Sequence, residues 1–167
     1  VLAVAAATLA GCGFRPLYAP GAGSVTTADL TTVQVAVIPE RFGQEIRQSL
    51  QQRLQGSNTG SLRRYVLTVA PQLSEEGIAI QPDSSVTRIR VIGSATFLLR
   101  RLEPPGPVLT SGTSRAIDGI NLVNNQYFNS DLDNDAVQRR IAEMLADQIT
   151  AQLAIWFNRQ AHAAHRA

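Results

Sequence analysis

The chain has 167 residues, of which 44% are apolar, with 15 basic against 13 acidic side chains and a formal net charge of +2. Its single cysteine excludes an internal disulfide framework, and so small a charge gives no argument for nucleic acid as a partner. Lysine is absent, so each positive side chain is a guanidinium, a planar fork suited to carboxylate or phosphate.

The chain opens on an apolar run that ends in Leu9-Ala10-Gly11-Cys12. A bulky apolar residue, two small residues and a cysteine form a lipobox. Residues 1–11 are therefore expected to be a lipoprotein signal peptide that is removed. Cys12 is expected to carry a diacylglyceryl group and to become the mature N-terminus. Two or more acyl chains give stable anchoring, at about 0.8 kcal/mol per buried methylene. The other reading is a small buried hydrophobe. The run falls short of the roughly 20 residues a membrane span needs, and Pro16 prevents a helix from continuing through it. Residues 12–30 are rich in Gly, Pro, Ala, Ser and Thr and read as a tether.

Beyond the tether, Val33, Val35 and Val37 fall in one phase and Gln34 and Ala36 in the other. This is a half-buried strand over residues 31–38, closed by Pro39. Phe42, Ile46, Leu50 and Leu54 then recur every four residues, which predicts a helix over residues 40–55 with one apolar stripe. Tyr65, Leu67 and Val69 restore the strand period, and Pro71 indicates an edge position or a strand end. A second short apolar piece, Gly77 to Ile80, precedes a turn at 82–85.

The clearest strand runs from Thr87 to Arg101. Ile89, Val91, Gly93, Ala95, Phe97 and Leu99 share one phase. Arg88, Arg90, Ser94, Thr96 and Arg100 share the other, with Ile92 and Leu98 as exceptions. One face is core and the other polar, as in an antiparallel sheet covered on one side. Glu103 to Pro107 forms a stiff hairpin connection. The strand after it, about Val108 to Ile120, is so rich in Ser, Thr and Gly that its register is weakly specified. Residues 121–133 are polar. The helical period returns near Asn134, where Val137, Ile141, Met144/Leu145, Gln148/Ile149 and Ala151/Gln152 line one face, extended by Leu153, Trp156 and Phe157. Asp131, Asp133 and Asp135 sit where acids favour a helix start, and Ser130, Asp133 or Asn134 is a candidate cap. Residues 160–167 read as a disordered tail.

The order strand, helix, three strands, helix gives an α+β class. It is a two-layer sandwich of about four mostly antiparallel strands, with two helices packed on one face. Residues 31–159 make a single domain.

No catalytic constellation stands in the chain, so it does not read as an enzyme, and no cofactor motif is present. His162 and His165 are too few for a metal site and read as tail residues. Asp131-Leu-Asp133-Asn-Asp135 starts like a calcium loop, but Ala136 and Ala142 stand where Gly and Glu are required. The arginines remain. Arg88, Arg90 and Arg100 lie on the polar phase of one strand, and Arg63, Arg64, Arg101 and Arg115 at or near strand ends. Such a row could hold phosphate groups bidentately, or could be a solvated face paired with Glu75, Glu76 and Asp83.

Four segments resemble a known family. They are Leu9-Ala-Gly-Cys-Gly-Phe-Arg-Pro-Leu-Tyr18, Val37-Ile-Pro-Glu-Arg-Phe-Gly-Gln-Glu-Ile-Arg-Gln-Ser-Leu50, Asp83-Ser-Ser-Val-Thr-Arg88 and Asp135-Ala-Val-Gln-Arg-Arg-Ile-Ala-Glu-Met-Leu-Ala146. With them the chain resembles the lipopolysaccharide-assembly lipoproteins of the LptE family, in their alphaproteobacterial form. It departs from that pattern at Tyr127-Phe128, where the family usually has Tyr-Ala. The resemblance implies a two-helix, four-stranded sandwich, anchored by lipid to the periplasmic face of the outer membrane. It implies a large β-barrel partner, LptD, which the domain plugs and helps to assemble. It also implies binding of lipopolysaccharide during delivery to the outer leaflet. Arg88, Arg90 and Arg115 are the nearest candidates for the family's basic contacts to that ligand. The alternative function is an auxiliary lipoprotein of an ABC-type lipid or solute transport system.

Overall fold

The computed structural model describes residues 28–55, 62–80, 86–103, 106–121 and 127–164. The readings of Cys12, of residues 1–11 and of the tether up to residue 27 lie outside the described residues, as do the turn at 82–85 and His165. In chain order the elements are β1 (Val33–Val35), α1 (Arg41–Gln55), β2 (Tyr65–Ile80), β3 (Val86–Arg101), β4 (Val108–Asn121) and α2 (Tyr127–Ala164). A short helical segment at 28–30 precedes β1.

The strands form one sheet in the order β1-β2-β3-β4. β1 runs parallel to β2, and the other two pairings are antiparallel. A parallel pair needs a crossover, and α1 supplies it. The sheet is therefore mixed, and the α+β sandwich expected from the pattern is the observed fold. No helix among the described residues is long and apolar enough to cross a membrane.

One face of the sheet carries the core. Leu67 and Val69 of β2, Val91, Ala95, Phe97 and Leu99 of β3, and Ala116 and Ile120 of β4 are buried there. The α1 stripe of Phe42, Ile46, Leu50 and Leu54 covers them, with Val137, Ile141, Leu145, Ile149, Leu153 and Phe157 of α2. The four-residue period placed the α1 stripe correctly because a single helix face can meet a sheet. On α2 it placed the apolar positions correctly, but Gln148 is exposed and Ala151 and Gln152 are only partly buried, since the two glutamines reach to the β4 edge instead.

Four local features differ from the pattern, each for a physical reason. First, β1 is three residues long. Val37 is 75% exposed and Ile38 fully buried, the reverse of the alternation. The last contact with β2 is the Ala36 N–H donating to the Leu67 carbonyl at 2.9 Å. The chain then turns at Pro39 and Glu40, and Glu40 has φ of 65°. That turn rotates Ile38 beneath α1, where a Cβ on Gly43 would stand 2.6 Å from the Ile38 Cγ2.

Second, β2 is one strand of 16 residues that passes through Pro71. The Leu67 carbonyl faces β1, so by the two-residue period Pro71 also turns its backbone toward that side. β1 ends opposite Leu67, and the side beyond it is open. The missing N–H of Pro71 therefore costs no ladder bond, and the edge alternative is the one realised.

Third, β4 has a definite register, from Asn121 opposite Arg88 to Thr110 opposite Leu99. Its small residues make room for α2 and for large neighbours. A Cβ on Gly112 would lie 2.7 Å from the Phe97 ring, and one on Gly93 across the ladder 2.3 Å from the Ile141 Cγ2. The outer edge of β4 is closed by α2. The Gln148 side chain accepts from the Arg115 N–H at 3.1 Å and donates to its carbonyl at 3.0 Å. One turn on, Gln152 donates to the Thr113 carbonyl at 3.2 Å.

Fourth, α2 begins at Tyr127 and continues to Ala164. Ser130, Asp133 and Asn134, expected at the helix start, are therefore inside the helix. Asn and Asp are weak helix formers, so composition hid the first turns. Residues 160–164 are helical where the composition read as tail.

Candidate functional site

The face of the sheet away from the helices is open. It is made by the even residues of β2 and β3 and the odd residues of β4. Its rows follow from the register. Glu76, Arg90 and Gly119 form one row, Ser74, Ile92 and Ile117 the next, and Gln72, Ser94 and Arg115 a third. The rows continue with Ala70, Thr96 and Thr113 and then Thr68, Leu98 and Ser111.

Arg88 and Arg90 stand two residues apart on this face, about 7 Å along the strand. Both are exposed. The Arg88 guanidinium lies over Gly119, whose Cβ would be 3.6 Å from the Arg88 Nε. With no side chain at 119, two arginines share the space above a single backbone. Arg90 meets Glu76 in its own row at 3.7 Å, a long and exposed pair that adds little stability. Among the described residues, Arg88, Arg100 and Arg115 have no ion pair. The pairing expected with Glu76 is thus realised by Arg90, and Asp83 lies outside the described residues.

Arg115 shares the face but not the cluster. It sits opposite Ser94, four residues along β3 from Arg90, or about 14 Å. Ile92 and Ile117 lie between them, and Ile117 is 50% exposed. The face therefore presents two arginines at one end, an apolar pair, and a third arginine beyond. That is an amphipathic surface, able to hold anionic groups at separated points and an apolar body between them.

A second group of arginines gathers at the other end of the sheet. Arg63, Arg64 and Arg101 line an open cleft of about 380 Å3 with Tyr65, Leu102 and Glu103. Their sequence positions were visible, but only the pairing of Tyr65 with Arg101 brings them together. Among the described residues no group of three or more His, Cys, Asp or Glu stands ready for a metal.

A mixed four-stranded sheet with two helices on one face is a fold shared with several solved structures. One is a Caulobacter crescentus protein described as a lipoprotein. It is 17% identical, with a TM-score of 0.65, covering 80% of this chain and 96% of that one. Another is the rare lipoprotein B of Shewanella oneidensis, 13% identical with a TM-score of 0.59, covering 78% of this chain and 97% of that one. A minor lipoprotein of Acinetobacter baumannii is 18% identical with a TM-score of 0.55, covering 76% and 90%. These likenesses establish the fold. The LptE lipopolysaccharide-assembly family matches residues 30–153, and the chain belongs to that family. No curated protein matches the chain.

Proposed function

We propose that this protein is an outer-membrane lipoprotein, held at the periplasmic face by lipid on Cys12. It plugs the LptD-like β-barrel that exports lipopolysaccharide and assists its assembly. It also binds lipopolysaccharide on the way to the outer leaflet. It acts by binding, not by catalysis.

Family membership over residues 30–153 supports the assembly role, and the composition of the open sheet face is the observation that carries the ligand role. Lipopolysaccharide combines phosphates with acyl chains. Arg88 and Arg90 offer paired forks to the phosphates, Arg115 offers a third, and Ile92 with Ile117 supplies an apolar strip. The anchor on Cys12 and the tether after it keep the domain within reach of a barrel in the same membrane; residues 28–30, expected to belong to that tether, are part of the domain, with Leu30 in its core.

The test is recovery of the lipidated protein from outer membranes, with its partner identified. A co-purifying β-barrel is the expected result. Recovery of an inner-membrane permease instead would overturn this reading and favour a transport-system subunit. Depletion is expected to lower the amount of correctly assembled barrel, and unchanged barrel with normal surface lipopolysaccharide would overturn the assembly role.

A further inference from the structure

The cleft of Arg63, Arg64 and Arg101 is separate from the open face and has its own surroundings. Leu102 N–H donates to the Arg64 carbonyl at 2.9 Å, which ties the segment before β2 to the segment after β3. Arg63 Nη1 donates to the Thr31 carbonyl at 2.7 Å, leaving the rest of its fork free. Arg64 pairs with Asp29 and also lies over the Tyr65 ring, 5.5 Å from its centroid. Arg101 has no ion pair among the described residues. Three arginines thus line the cleft beside one carboxylate of its lining, Glu103, with Asp29 already paired to Arg64.

Apolar and aromatic groups frame this charge. Leu62, next to Arg63, is 86% exposed. Tyr65 packs edge-on against Trp156 at 6.4 Å and Phe157 at 5.3 Å. Trp156 is only partly buried, and Ile155 beside it is 44% exposed. Arginine forks, a partly buried tryptophan and a protruding leucine are residues that suit a membrane interface, where one side is charged and the other apolar.

The chain enters the domain at this same end, since Asp29, Thr31 and Thr32 are bonded to Arg64 and Arg63. The described chain therefore starts, at Ala28 and Asp29, beside the cleft. We propose that this end of the sheet docks on an anionic phospholipid surface, with Arg63, Arg64 and Arg101 on headgroup phosphates and Leu62 in the acyl boundary. The anchoring of Cys12 supplies the direction, but the surface chemistry stands without it. Docking here leaves Arg88 and Arg90 pointing away from the membrane that holds the domain.

The test uses the full chain carrying Cys12→Ser, so that no acyl group contributes, in co-sedimentation with vesicles. Binding is expected to vesicles of phosphatidylcholine mixed with phosphatidylglycerol, to fall with added salt, and to be weaker on phosphatidylcholine alone. Arg63→Gln with Arg64→Gln and Arg101→Gln is expected to lower partitioning on the order of 100-fold, at about five-fold per basic residue. Arg63 and Arg64 also hold residues 29–31, so Arg101→Gln and Leu62→Ser serve as variants that remove no internal bond. Each is expected to weaken binding several-fold. Equal partitioning of the folded Arg101→Gln and Leu62→Ser variants overturns the proposal. So does equal binding to both vesicle types. Displacement by inorganic phosphate at constant ionic strength would also overturn it, assigning the cleft to a soluble phosphate. None of these outcomes bears on recovery of a barrel partner, so the two readings fail separately.

Discussion

Arg53 of α1 and Asp147 of α2 lie 94 residues apart in sequence and form a two-bond fork, Nε to Oδ1 and Nη2 to Oδ2, the second at 3.1 Å. Arg41 and Asp135 repeat the same offset, at 2.7 Å. A constant offset means that the helices run parallel and in step, over 12 residues or about 18 Å. The topology requires this direction, since β1 and β2 are parallel and β2, β3 and β4 alternate. Two clamps thus fix the sliding register of the helix layer on the sheet.

The Arg53–Asp147 clamp is exposed on one side, with Asp147 at 65%. A double-mutant cycle with Arg53→Ala and Asp147→Ala is expected to give a coupling of about 1 kcal/mol or less, shrinking with salt. The hydrogen bond from Arg53 to Asp147 raises the Arg53 pKa above the ordinary guanidinium value. For a base raised on folding, the stability is present below the unfolded pKa and lost only as pH rises past it. Arg53 itself therefore contributes no change in stability between mildly acid and mildly alkaline pH. Urea melts of wild type and Arg53→Ala across that range check this.

Gly93 is a point of close approach between α2 and the sheet. A Cβ there would lie 2.3 Å from the Ile141 Cγ2, 3.3 Å from the Leu145 Cδ1 and 3.5 Å from the Phe42 Cζ. The Ile141 methyl stands on a stiff branched side chain and cannot swing away. Gly93→Ala is expected to destabilise by about 1–3 kcal/mol. Ile141→Ala opens the same space at the cost of a cavity. The double variant should be less destabilised than the sum of the two singles. Strict additivity in chemical denaturation would show that the helix shifts instead.

Glu40 holds a left-handed backbone at φ 65°, and its carbonyl accepts the first α1 bond from the Gln44 N–H at 3.0 Å. A β-branched residue there meets more strain than a linear one. Glu40→Ile is expected to cost about 1–2 kcal/mol, whereas Glu40→Gly stays near wild type because relief of strain offsets the added chain entropy. Thermal melts of both variants test the turn that rotates Ile38 into the core.

On the open face, Arg88→Glu with Arg90→Glu is expected to weaken lipopolysaccharide binding by about tenfold or more per arginine, with the fold retained. Gly119→Asp makes a gentler test. It places a carboxylate beside the Arg88 guanidinium, so that Arg88 is neutralised without being removed. Binding should fall while the melting temperature holds or rises. Unchanged binding in both folded variants would assign these arginines to barrel contact or to plain solvation.

Periodicity alone determined much of this protein. The stripe of Phe42, Ile46, Leu50 and Leu54, the alternation from Ile89 to Leu99 and the α2 face from Val137 to Phe157 are properties of a repeat. They follow from 3.6 and 2 residues per turn, whatever lies opposite. The same alternation put Arg88 and Arg90 on the outer face. Pairing was not legible in this way. That β1 joins β2 in parallel, that Pro71 stays within a strand, and that Gly93 and Gly112 leave room for Ile141 and Phe97 depend on contacts between residues remote in sequence. So does the meeting of Arg63 and Arg64 with Arg101, which one ladder position opposite Tyr65 brings about. A sequence states which side of an element is apolar, because that is local. Which elements then lie side by side is settled by close packing of the whole chain, and tertiary structure alone decides it.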